Sequence, residues 1–456
     1  MHTAMLAGVL AACSGGPREP AAPSETAADT AVPPTAVGEA DCVLTKENTL
    51  RAVCTVHVDP PQPIQIAFGP ADGFGPDRVH VSEQVTSTHT VDLYIMPPNT
   101  QIAWTAQAVD GLQLAKGRFS TGVVPEGSTT SLKQRPGGAP PWQLLGLASA
   151  CRVGAVAVLL GPSSRVVWYE DLTERLGSLL EAVTFTEDRT VLALVDDGIF
   201  EVDLMGRRLL TLPSEDLPVH VHHDVFRRDG LTYVLFNETV KHDEASLLVD
   251  GVLVLDAAGA EVARWRLADH LPDDPAISPG LTTDYSHANS VWVDAAGDIL
   301  VSFRHLDTVI KLDGVAADTF GAIRWRLAGG PDAALGSDFT GPVDFQAQHN
   351  VHLEDDGRMI MLDNRALPQE SSSILVLELD EGARTVAESE RHTLPLHCAF
   401  QGSAWRTESG VLIAGCAPPR RMFAFNAEDG SLFYDAELVC EGDQPSFAPR
   451  VIPLSW

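Results

Sequence analysis

Short runs of alternating apolar and polar residues recur along the chain beyond residue 140, and each run is closed by a turn that contains glycine. Three runs begin at His223, His287 and His349 and share one plan: a histidine, alternating apolar residues, a glycine turn and a second apolar strand. The spacings from histidine to glycine are 7, 10 and 8 residues, and weaker copies begin near Glu181 and Gln401. Alternation with a period of two predicts β-strands. The repetition predicts a β-propeller with one four-stranded blade per repeat.

The spacing of the repeats also gives a blade number. The tetrapeptide Arg-Trp-Arg-Leu occurs at 264–267 and again at 324–327, and five repeats are visible in all. We expect a sixth blade from residues 143–170, completed by the C-terminal end of the chain. A second β-sandwich would not explain the regular spacing. The prediction is a six-bladed propeller over residues 140–456.

Residues 41–135 alternate in the same way but do not repeat. Strand-like stretches such as 53–58 and 101–109 are separated by turns rich in proline, glycine and asparagine. The segment 89–122 resembles the last strands of a fibronectin type III domain, with Pro98, Asn99 and Thr100 in the loop before the tryptophan strand. We therefore predict an all-β chain, in which a small fibronectin III or Ig-like β-sandwich precedes the propeller and residues 136–141 form a linker.

The N-terminus indicates export. The apolar run at 4–12 is too short to span a bilayer, and it ends in Leu-Ala-Ala-Cys, which resembles a bacterial lipobox. We predict a lipoprotein-type signal peptide over 1–12, lipidation of Cys13 and a disordered tether rich in proline and alanine over 13–40. The expected location is the bacterial cell envelope, at the outer membrane or facing the periplasm, with the lipid anchor as the only membrane contact.

The cysteine count agrees with export. Six cysteines remain after Cys13, and an even number in an exported protein indicates disulfides. Two of them, Cys42 and Cys54, could pair within the N-terminal domain. Within the propeller we predict that Cys398 pairs with Cys416 across adjacent strands of one blade. We also predict that Cys151 pairs with Cys440 and so joins the first and last blades.

Charge excludes one class of partner. The chain has 31 basic and 62 acidic residues, a net charge of −31. A nucleic-acid-binding protein needs a basic face that displaces phosphate counterions, so this composition argues against nucleic acid as a partner.

The histidines that begin the repeats are the best candidates for chemistry. Equivalent positions of successive blades meet around the central channel, and we place His223, His287 and His349 in one register. The ends of the second strands supply two further polar pairs, Arg304 with His305 and Asn364 with Arg365.

The segments "DYSHANSVWVDAAGDILVSFRHLDTVIKLD", "IRWRLAGG" and "QHNVHLEDDGRMIMLDNR" resemble the bacterial arylsulfotransferase family over about residues 215–425. The resemblance implies a six-bladed propeller with a small N-terminal β-domain. It also implies transfer of a sulfuryl group from a phenolic sulfate ester to a phenolic acceptor, without a nucleotide cofactor. By motif, the sulfuryl-binding histidines of the family fall on His287 and His349, and its arginine falls on Arg365.

One departure from the family concerns the nucleophile. The family has a nucleophilic histidine on the following blade, where this chain has Trp405 or Arg406 and no histidine. Either His397 reaches in from the preceding loop, or another histidine serves, or transfer is lost. We predict no metal and no cofactor, and assign candidate residues as catalytic (His287, His349, Arg365 and His397) and as substrate-binding (His223, Asn289, Arg304 and Asn364).

Two other functions remain open. A metal-dependent propeller hydrolase would use His223, His287 and His349 as zinc ligands and leave one position for water. A non-catalytic binding protein of the cell envelope would use the propeller only as a platform.

Overall fold

The computed structural model describes residues 40–72, 78–125, 130–134, 138–149, 155–173, 179–242, 245–272, 282–331, 333–417, 419–426, 428–440 and 450–454. The fold is all-β, as predicted. Helical structure in these ranges is confined to three 3₁₀ turns, Ser214–Asp216, Leu267–His270 and Arg304–Leu306. Across the described ranges, no helix has the length and apolar character needed to cross a bilayer. The predicted signal peptide, Cys13 and all but the last residue of the predicted tether lie outside the described residues.

The N-terminal region forms one sheet of five strands: β1 (Ala40–Leu44), β2 (Ala52–Pro70), β3 (Arg78–Leu93), β4 (Gln101–Ala108) and β5 (Gln113–Ser120). The long strand β2 pairs with β3 along most of its length. On its other side β2 pairs first with β1 and then with β4. Alternate residues of β4, including Ile102 and Trp104, enter a core shared by all five strands. The predicted fibronectin III-like sandwich stays a prediction.

The other strands follow in chain order and belong to the propeller: β6 (Thr130–Gln134), β7 (Leu144–Ser149), β8 (Val156–Leu160), β9 (Val166–Asp171), β10 (Leu180–Phe185), β11 (Thr190–Val195), β12 (Gly198–Asp203), β13 (Arg208–Pro213), β14 (His220–Arg228), β15 (Leu231–His242), β16 (Ala245–Leu255), β17 (Glu261–Arg266), β18 (Thr282–Asp284), β19 (Ala288–Val293), β20 (Ile299–Phe303), β21 (Thr308–Leu312), β22 (Ile323–Ala328), β23 (His349–Leu353), β24 (Met359–Asp363), β25 (Ser373–Asp380), β26 (Thr385–Thr393), β27 (Ser403–Arg406), β28 (Leu412–Cys416), β29 (Arg421–Phe425), β30 (Leu432–Cys440) and β31 (Val451–Leu454).

Six sheets are the blades. Five of them run in sequence order, as β10–β13, β14–β17, β19–β22, β23–β26 and β27–β30. The sixth is built from both ends of the propeller, because β31 pairs antiparallel with β7 and so becomes the innermost strand of the β7–β9 blade. This confirms both the six-bladed prediction and the expected use of residues 143–170 with the C-terminal end. Because the last strand completes the first blade, the ring is closed by a continuous sheet.

Two short strands lie outside the four-stranded plan. Strand β18 pairs parallel with β16. Strand β6 pairs with β30 as a fifth strand of that blade, although Thr130–Gln134 falls in the range that we predicted for the N-terminal domain. The domain boundaries themselves stay predictions.

The blades bury both of their faces, which explains their nearly continuous apolar strands. All six residues of β11 are buried, and cores fill the spaces between neighbouring blades. The outermost strands β13, β17 and β26 face solvent on one side, and their buried and exposed residues are mixed. A strand packed on both faces reads as an apolar run, and an outer strand can carry polar residues.

Two predicted disulfides are present. Cys42 and Cys54 lie opposite one another on β1 and β2 and are bonded, as are Cys398 and Cys416. The prediction for the second pair needs one correction: Cys398 lies in the loop before β27 and not on a strand. Cys440 is disulfide-bonded. Its predicted partner Cys151 lies outside the described residues.

Adjacent innermost strands are joined by a repeated side-chain hydrogen bond. In four places a polar side chain of one innermost strand accepts the backbone N–H of the next: Asp224 from Val291, Ser290 from Val351, Asn350 from Ala404, and Ser403 from Val451. In the last three bonds the acceptor residue directly precedes the donor residue of the bond before: Ser290 precedes Val291, Asn350 precedes Val351 and Ser403 precedes Ala404. The bonds therefore mark equivalent positions around the ring.

Candidate active site

Six residues at equivalent positions of the six innermost strands surround one end of the channel. Five of them directly precede a residue of the inter-strand hydrogen-bond series. The sixth, Glu181, lies at the register shift between Leu180 and Ala182 in β10, as Asn289 lies at the shift between Ala288 and Ser290. We call this set the histidine layer: Glu181, His223, Asn289, His349, Gly402 and Arg450. Together with Leu179, Leu180, Asp196 and Gln401 it lines a cavity of about 280 Å³.

The structure corrects the predicted register of the histidines. Asn289, and not His287, is equivalent to His223 and His349, and His287 lies two residues earlier, outside β19. The sequence carried a signal for this. The spacing of 10 residues from His287 to Gly297 was longer than the others, whereas Asn289 lies 8 residues before Gly297, as His349 lies 8 residues before Gly357. Asn289 is buried; its Nδ2 donates to the carbonyl of Gln348 (2.7 Å), and none of the described residues donates a hydrogen bond to its Oδ1.

A second layer closes the channel below the histidine layer. Three residues further along four of the same strands lie Phe226, Trp292, His352 and Trp405, which we call the aromatic layer. Neighbouring rings are 4.2–5.2 Å apart, and Trp292 also reaches Trp405 at 6.3 Å, two blades away. Three residues of strand correspond to about 10 Å. The aromatic layer therefore lies further along the channel and adds no residue to the lining of the cavity, and Trp405 belongs to this layer rather than to the position of the missing nucleophile.

Gly402 occupies the equivalent position on the β27–β30 blade. Its φ is +95°, and an added Cβ would approach the Gly415 carbonyl oxygen at 2.5 Å. A side chain is therefore excluded there on two grounds, backbone conformation and space. This explains why no histidine is found at this position.

His349 is buried in the wall of the cavity. Its Nδ1 lies 2.9 Å from Asn364 Oδ1 and 3.1 Å from the Ala347 carbonyl, and both are acceptors because the Asn364 Nδ2 donates to the carbonyls of Cys398 and Gln401. The proton of the neutral ring is therefore on Nδ1, and the Nε2 lone pair accepts the Gln401 N–H at 3.1 Å. Burial lowers the pKa of His349 to about 3, so the ring is neutral at pH 7.

His223 is connected to a buried carboxylate through its neighbour. Its Nδ1 lies 2.7 Å from Nδ1 of His222, whose Nε2 lies 2.8 Å from Asp250 Oδ1. A register shift in β14 between Val221 and Val225, with His223 at a φ of 62°, brings these consecutive side chains into contact, whereas a regular strand would point them to opposite faces. Burial, together with the charges of His222 and His287, lowers the pKa of His223 to about 2.

His287 lies beside His223 with its own carboxylate. The two rings are 4.7 Å apart, and His287 Nδ1 lies 2.5 Å from Asp284 Oδ2. Burial alone would raise the pKa of Asp284, but the hydrogen bond and charge of His287 outweigh it and hold that pKa below its usual value. The ring of His305 stacks at 4.5 Å on the other side of His287.

The donor atoms of Asp284, His287 and His305 lie within 4.8 Å of one another and could hold a divalent metal ion. This set differs from the zinc triad considered from sequence. His349 is not part of this set: its Nδ1 is bonded to Asn364, and its Nε2 accepts the Gln401 N–H, which a metal shared with His223 and His287 would have to displace.

Two arginines act on the cavity. Arg450 lines it, with one Nη bonded to buried Asp224 and the other donating to the Asn289 carbonyl at 2.7 Å. Arg304 is not among the residues that line it; one Nη donates to the Ala399 carbonyl (3.3 Å), and its buried Nε has no acceptor in the part of the chain that the structure describes. Burial lowers the pKa of Arg304, and it has no ion pair with any described carboxylate. Both arginines help to lower the pKa of His349.

Arg365 and His397 do not line the cavity. The Arg365 guanidinium makes a bidentate ion pair with Asp344, both contacts at 2.8 Å, and a third contact with buried Asp363 at 3.2 Å. These carboxylates raise the pKa of Arg365 above its usual value. His397 lies nearby, with its Nε2 3.3 Å from the Arg365 carbonyl oxygen. The structure therefore brings together His223, His287 and Asn289, with His349 across the cavity supported by Asn364, and leaves these two residues apart.

The sequence analysis did not identify Arg450, Glu181, His222 or Asp250. No local motif marks Arg450, because its role depends on the C-terminal strand entering the first blade. The adjacent His222 and His223 were visible, but only the bulge shows that they touch. Glu181 marks the start of a weak repeat in the sequence, but the sequence analysis did not infer that it occupies the same position in its blade as His223 and His349.

Comparisons with known proteins show what this region is similar to. Residues 163–387 match the family model for arylsulfotransferase (ASST), which confirms the resemblance found in the sequence. No curated protein matches the chain. Similar solved structures include a protein of unknown function from Bacteroides caccae, at 11% identity over 69% of this chain and 100% of that chain, with a TM-score of 0.46. A putative 6-phosphogluconolactonase from Bacteroides fragilis NCTC 9343 matches at 12% identity over 86% and 98% of the two chains, with a TM-score of 0.39. A streptogramin B lyase matches at 10% identity over 71% and 92%, with a TM-score of 0.39.

Proposed function

We propose that this chain transfers a sulfuryl group from a phenolic sulfate ester to a phenolic acceptor, without a nucleotide or metal cofactor. The observation that carries the proposal is the convergence of His223, His349 and Arg450 on one cavity, within an arylsulfotransferase-like region. The small-molecule substrates enter from the end of the channel opposite the aromatic layer.

Sulfuryl transfer places specific demands on such a cavity. The group in flight carries negative charge spread over its non-bridging oxygens, as in the loose transition state of phosphoryl transfer. Fixed cations and N–H donors stabilise that charge when they are preorganised. Arg304 and Arg450 supply the cations, and His223, His287 and Asn289 line the approach to the sulfuryl oxygens.

His349 is the residue that we propose for covalent attack. Asn364 fixes its tautomer, so the lone pair is on Nε2, next to Gln401 in the wall of the cavity. The Nε2 lone pair leaves the Gln401 N–H and forms the N–S bond, the S–O bond to the aryl group breaks, and its electron pair leaves on the phenolate. The acceptor phenolate then attacks sulfur and returns the N–S pair to Nε2. His397, the other candidate from sequence, hydrogen-bonds outside the cavity.

Two carboxylates oppose an anionic substrate. Asp196 and Glu181 line the cavity beside Arg450. Asp196 Oδ2 accepts the Leu179 N–H at 3.1 Å, and Glu181 accepts the His223 N–H at 2.5 Å. Burial raises the pKa of Glu181, which favours its neutral form and reduces the repulsion. We expect Glu181 to weaken the binding of a sulfate ester without preventing it.

A chromogenic aryl sulfate, offered with and without a phenol, tests the proposal. Continued colour release that requires the phenol is the expected result, because without an acceptor the covalent step releases at most one equivalent of coloured phenolate per protein. Continued colour release without the phenol would indicate hydrolysis instead, and no colour under either condition would leave a binding role for the propeller.

The grouping of Asp284, His287 and His305 favours a second candidate, metal-dependent hydrolysis. Elemental analysis of purified protein, followed by assay with and without a chelator, separates the two functions. A stoichiometric transition metal whose removal abolishes colour release would support the hydrolase and overturn the transferase.

The compartment is part of the same proposal. Two disulfides among the described residues indicate an oxidising environment. We propose export to the cell envelope with a lipid on Cys13. Palmitate labelling of the natural protein, compared with a Cys13→Ala variant, checks the anchor; equal labelling of both would contradict it.

A further inference from the structure

Behind the cavity wall lies a buried chain of titratable groups that the transfer step above does not use. Asp250 and His222 are 3% and 7% exposed, and their atoms Oδ1 and Nε2 are 2.8 Å apart. The other carboxylate oxygen of Asp250 accepts the Ser286 hydroxyl at 2.5 Å and the Ala288 N–H at 2.7 Å. This oxygen is therefore held as an acceptor, and Oδ1 faces His222 Nε2 at ion-pair distance, outside hydrogen-bond geometry.

This arrangement sets the tautomers of both histidines. A carboxylate oxygen 2.8 Å from Nε2 favours the proton of the neutral His222 ring on that nitrogen, which leaves Nδ1 as a lone-pair acceptor. His223 Nδ1, at 2.7 Å, must then donate to it. The lone pair of His223 is consequently on Nε2, on the ring that lines the cavity.

We propose that Asp250, His222 and His223 form a proton relay, in which His223 acts as the general base for the acceptor phenol. This inference rests on the proposed function. The phenol O–H bond breaks and its proton goes to His223 Nε2, while the oxygen keeps the electron pair and attacks sulfur. The His223 Nδ1 proton shifts toward His222, and the His222 Nε2 proton shifts toward Asp250. The carboxylate thus stabilises the added charge, and the proton leaves with solvent after the product departs.

The surroundings of His223 explain why it needs this support. The groups that face it are Glu181 on β10, His287 before β19, His349 on β23 and Arg450 before β31. An imidazolium beside the imidazoles of His287 and His349 and the partly buried guanidinium of Arg450 is unfavourable unless a carboxylate balances its charge. Asp250 is the carboxylate in line with its ring. Asp284 is in line with His287 instead, so Asp284 and His287 form the rival pair for taking the phenol proton.

The sharpest test varies the acidity of the acceptor. Asp250→Asn and His222→Gln should slow transfer to weakly acidic phenols by about 100-fold. Phenols that are ionised at the assay pH should be transferred at nearly the wild-type rate, because they need no base. The burst of coloured phenolate from the donor, measured without acceptor, should be unchanged. His352→Gln is the matched control, since it removes another buried imidazole from an innermost strand, away from the cavity.

If Asp250→Asn and His222→Gln slowed transfer equally for all acceptors, the relay would be overturned. It would also be overturned if Asp284→Asn, and not Asp250→Asn, selectively slowed transfer to weakly acidic phenols. Failure of the proposed function has a different signature, because wild-type protein would then give no burst. Nitrogen-15 spectra of the histidines test the relay in that case as well: we expect a proton on Nδ1 of His223 and Nε2 of His222, with the His222 preference lost in Asp250→Asn. A proton on Nε2 of His223 in the resting protein would contradict the relay.

Discussion

The histidine layer and the aromatic layer occupy the same strands, three residues apart, yet differ completely in chemistry. The upper layer holds ionisable and hydrogen-bonding groups around a cavity, and the lower one holds rings that contact one another across the channel. Both layers contain a buried histidine on β23, His349 above and His352 below. The strands alone do not decide which histidine has a chemical role. What differs is the neighbours: Asn364, Gln401 and two arginines for His349, but Trp292 and Trp405 for His352.

The largest expected effect contrasts these two histidines directly. His349→Asn keeps an amide near the Nδ1 position but lacks Nε2, and should reduce kcat by about 10,000-fold if Nε2 is the nucleophile. His352→Asn should leave kcat within about threefold and lower the free energy of unfolding by about 1–3 kcal/mol, because it leaves a polar group among rings. Steady-state kinetics and urea unfolding measure both. Equal loss of kcat in the two variants would remove the distinction between the layers.

The next effect concerns the cation. Arg304→Gln should reduce kcat by about 100- to 1,000-fold, since a preorganised and weakly compensated cation would be lost from beside His349. Arg365→Gln is the matched control, and because its guanidinium is bound by Asp344 and Asp363 we expect a kcat change of about threefold or less. A large loss in Arg365→Gln with a small one in Arg304→Gln would restore the assignment made from sequence.

Acid stability should reveal the buried neutral imidazoles in both layers. Burial lowers the pKa to about 2 in His223, about 3 in His349 and about 4 in His352, compared with 6.5 for an unperturbed ring. The unfolded chain binds these protons below pH 6.5 and the folded chain does not, so the free energy of unfolding falls as pH decreases from 6.5 toward 4. Each ring contributes about 1.4 kcal/mol per pH unit in that window. Urea unfolding at pH 7 and pH 5 measures the slope, which should be shallower in His352→Asn; an unchanged slope would contradict the low pKa.

The smallest effect is a gain. Glu181→Gln retains an acceptor for the His223 N–H but removes a carboxylate from the cavity, so KM for an aryl sulfate should fall about five- to tenfold. The exposed Asp188, in the turn of the same blade, provides the control Asp188→Asn, for which no change is expected. A higher KM in Glu181→Gln would mean that the carboxylate positions the substrate instead of repelling it.

Local pattern was sufficient for much of the fold. The alternation of apolar residues and the repeated glycine turns predicted the blades, because strand formation and turn formation depend on neighbouring residues. The sixth blade, with help from the C-terminal end, followed from the same spacing. His223, His349 and Arg304 were identified as candidates because the repeats placed them near the start or the end of an innermost pair of strands, and Asn289 belongs to the segment that carries the family resemblance.

Tertiary structure decided which of the candidates meet. Arg450 enters the cavity only because β31 completes the β7–β9 blade, and no nearby residue signals that pairing. A bulge in β14 turns His222 toward His223, and a register shift in β19 places Asn289 rather than His287 in the ring. A slip of one residue in a strand moves a side chain to the opposite face, so a repeat read from sequence fixes the strands but not the inward positions. The surroundings of Arg365 were likewise decided by tertiary structure, because its carboxylate partners Asp344 and Asp363 become its neighbours only through folding.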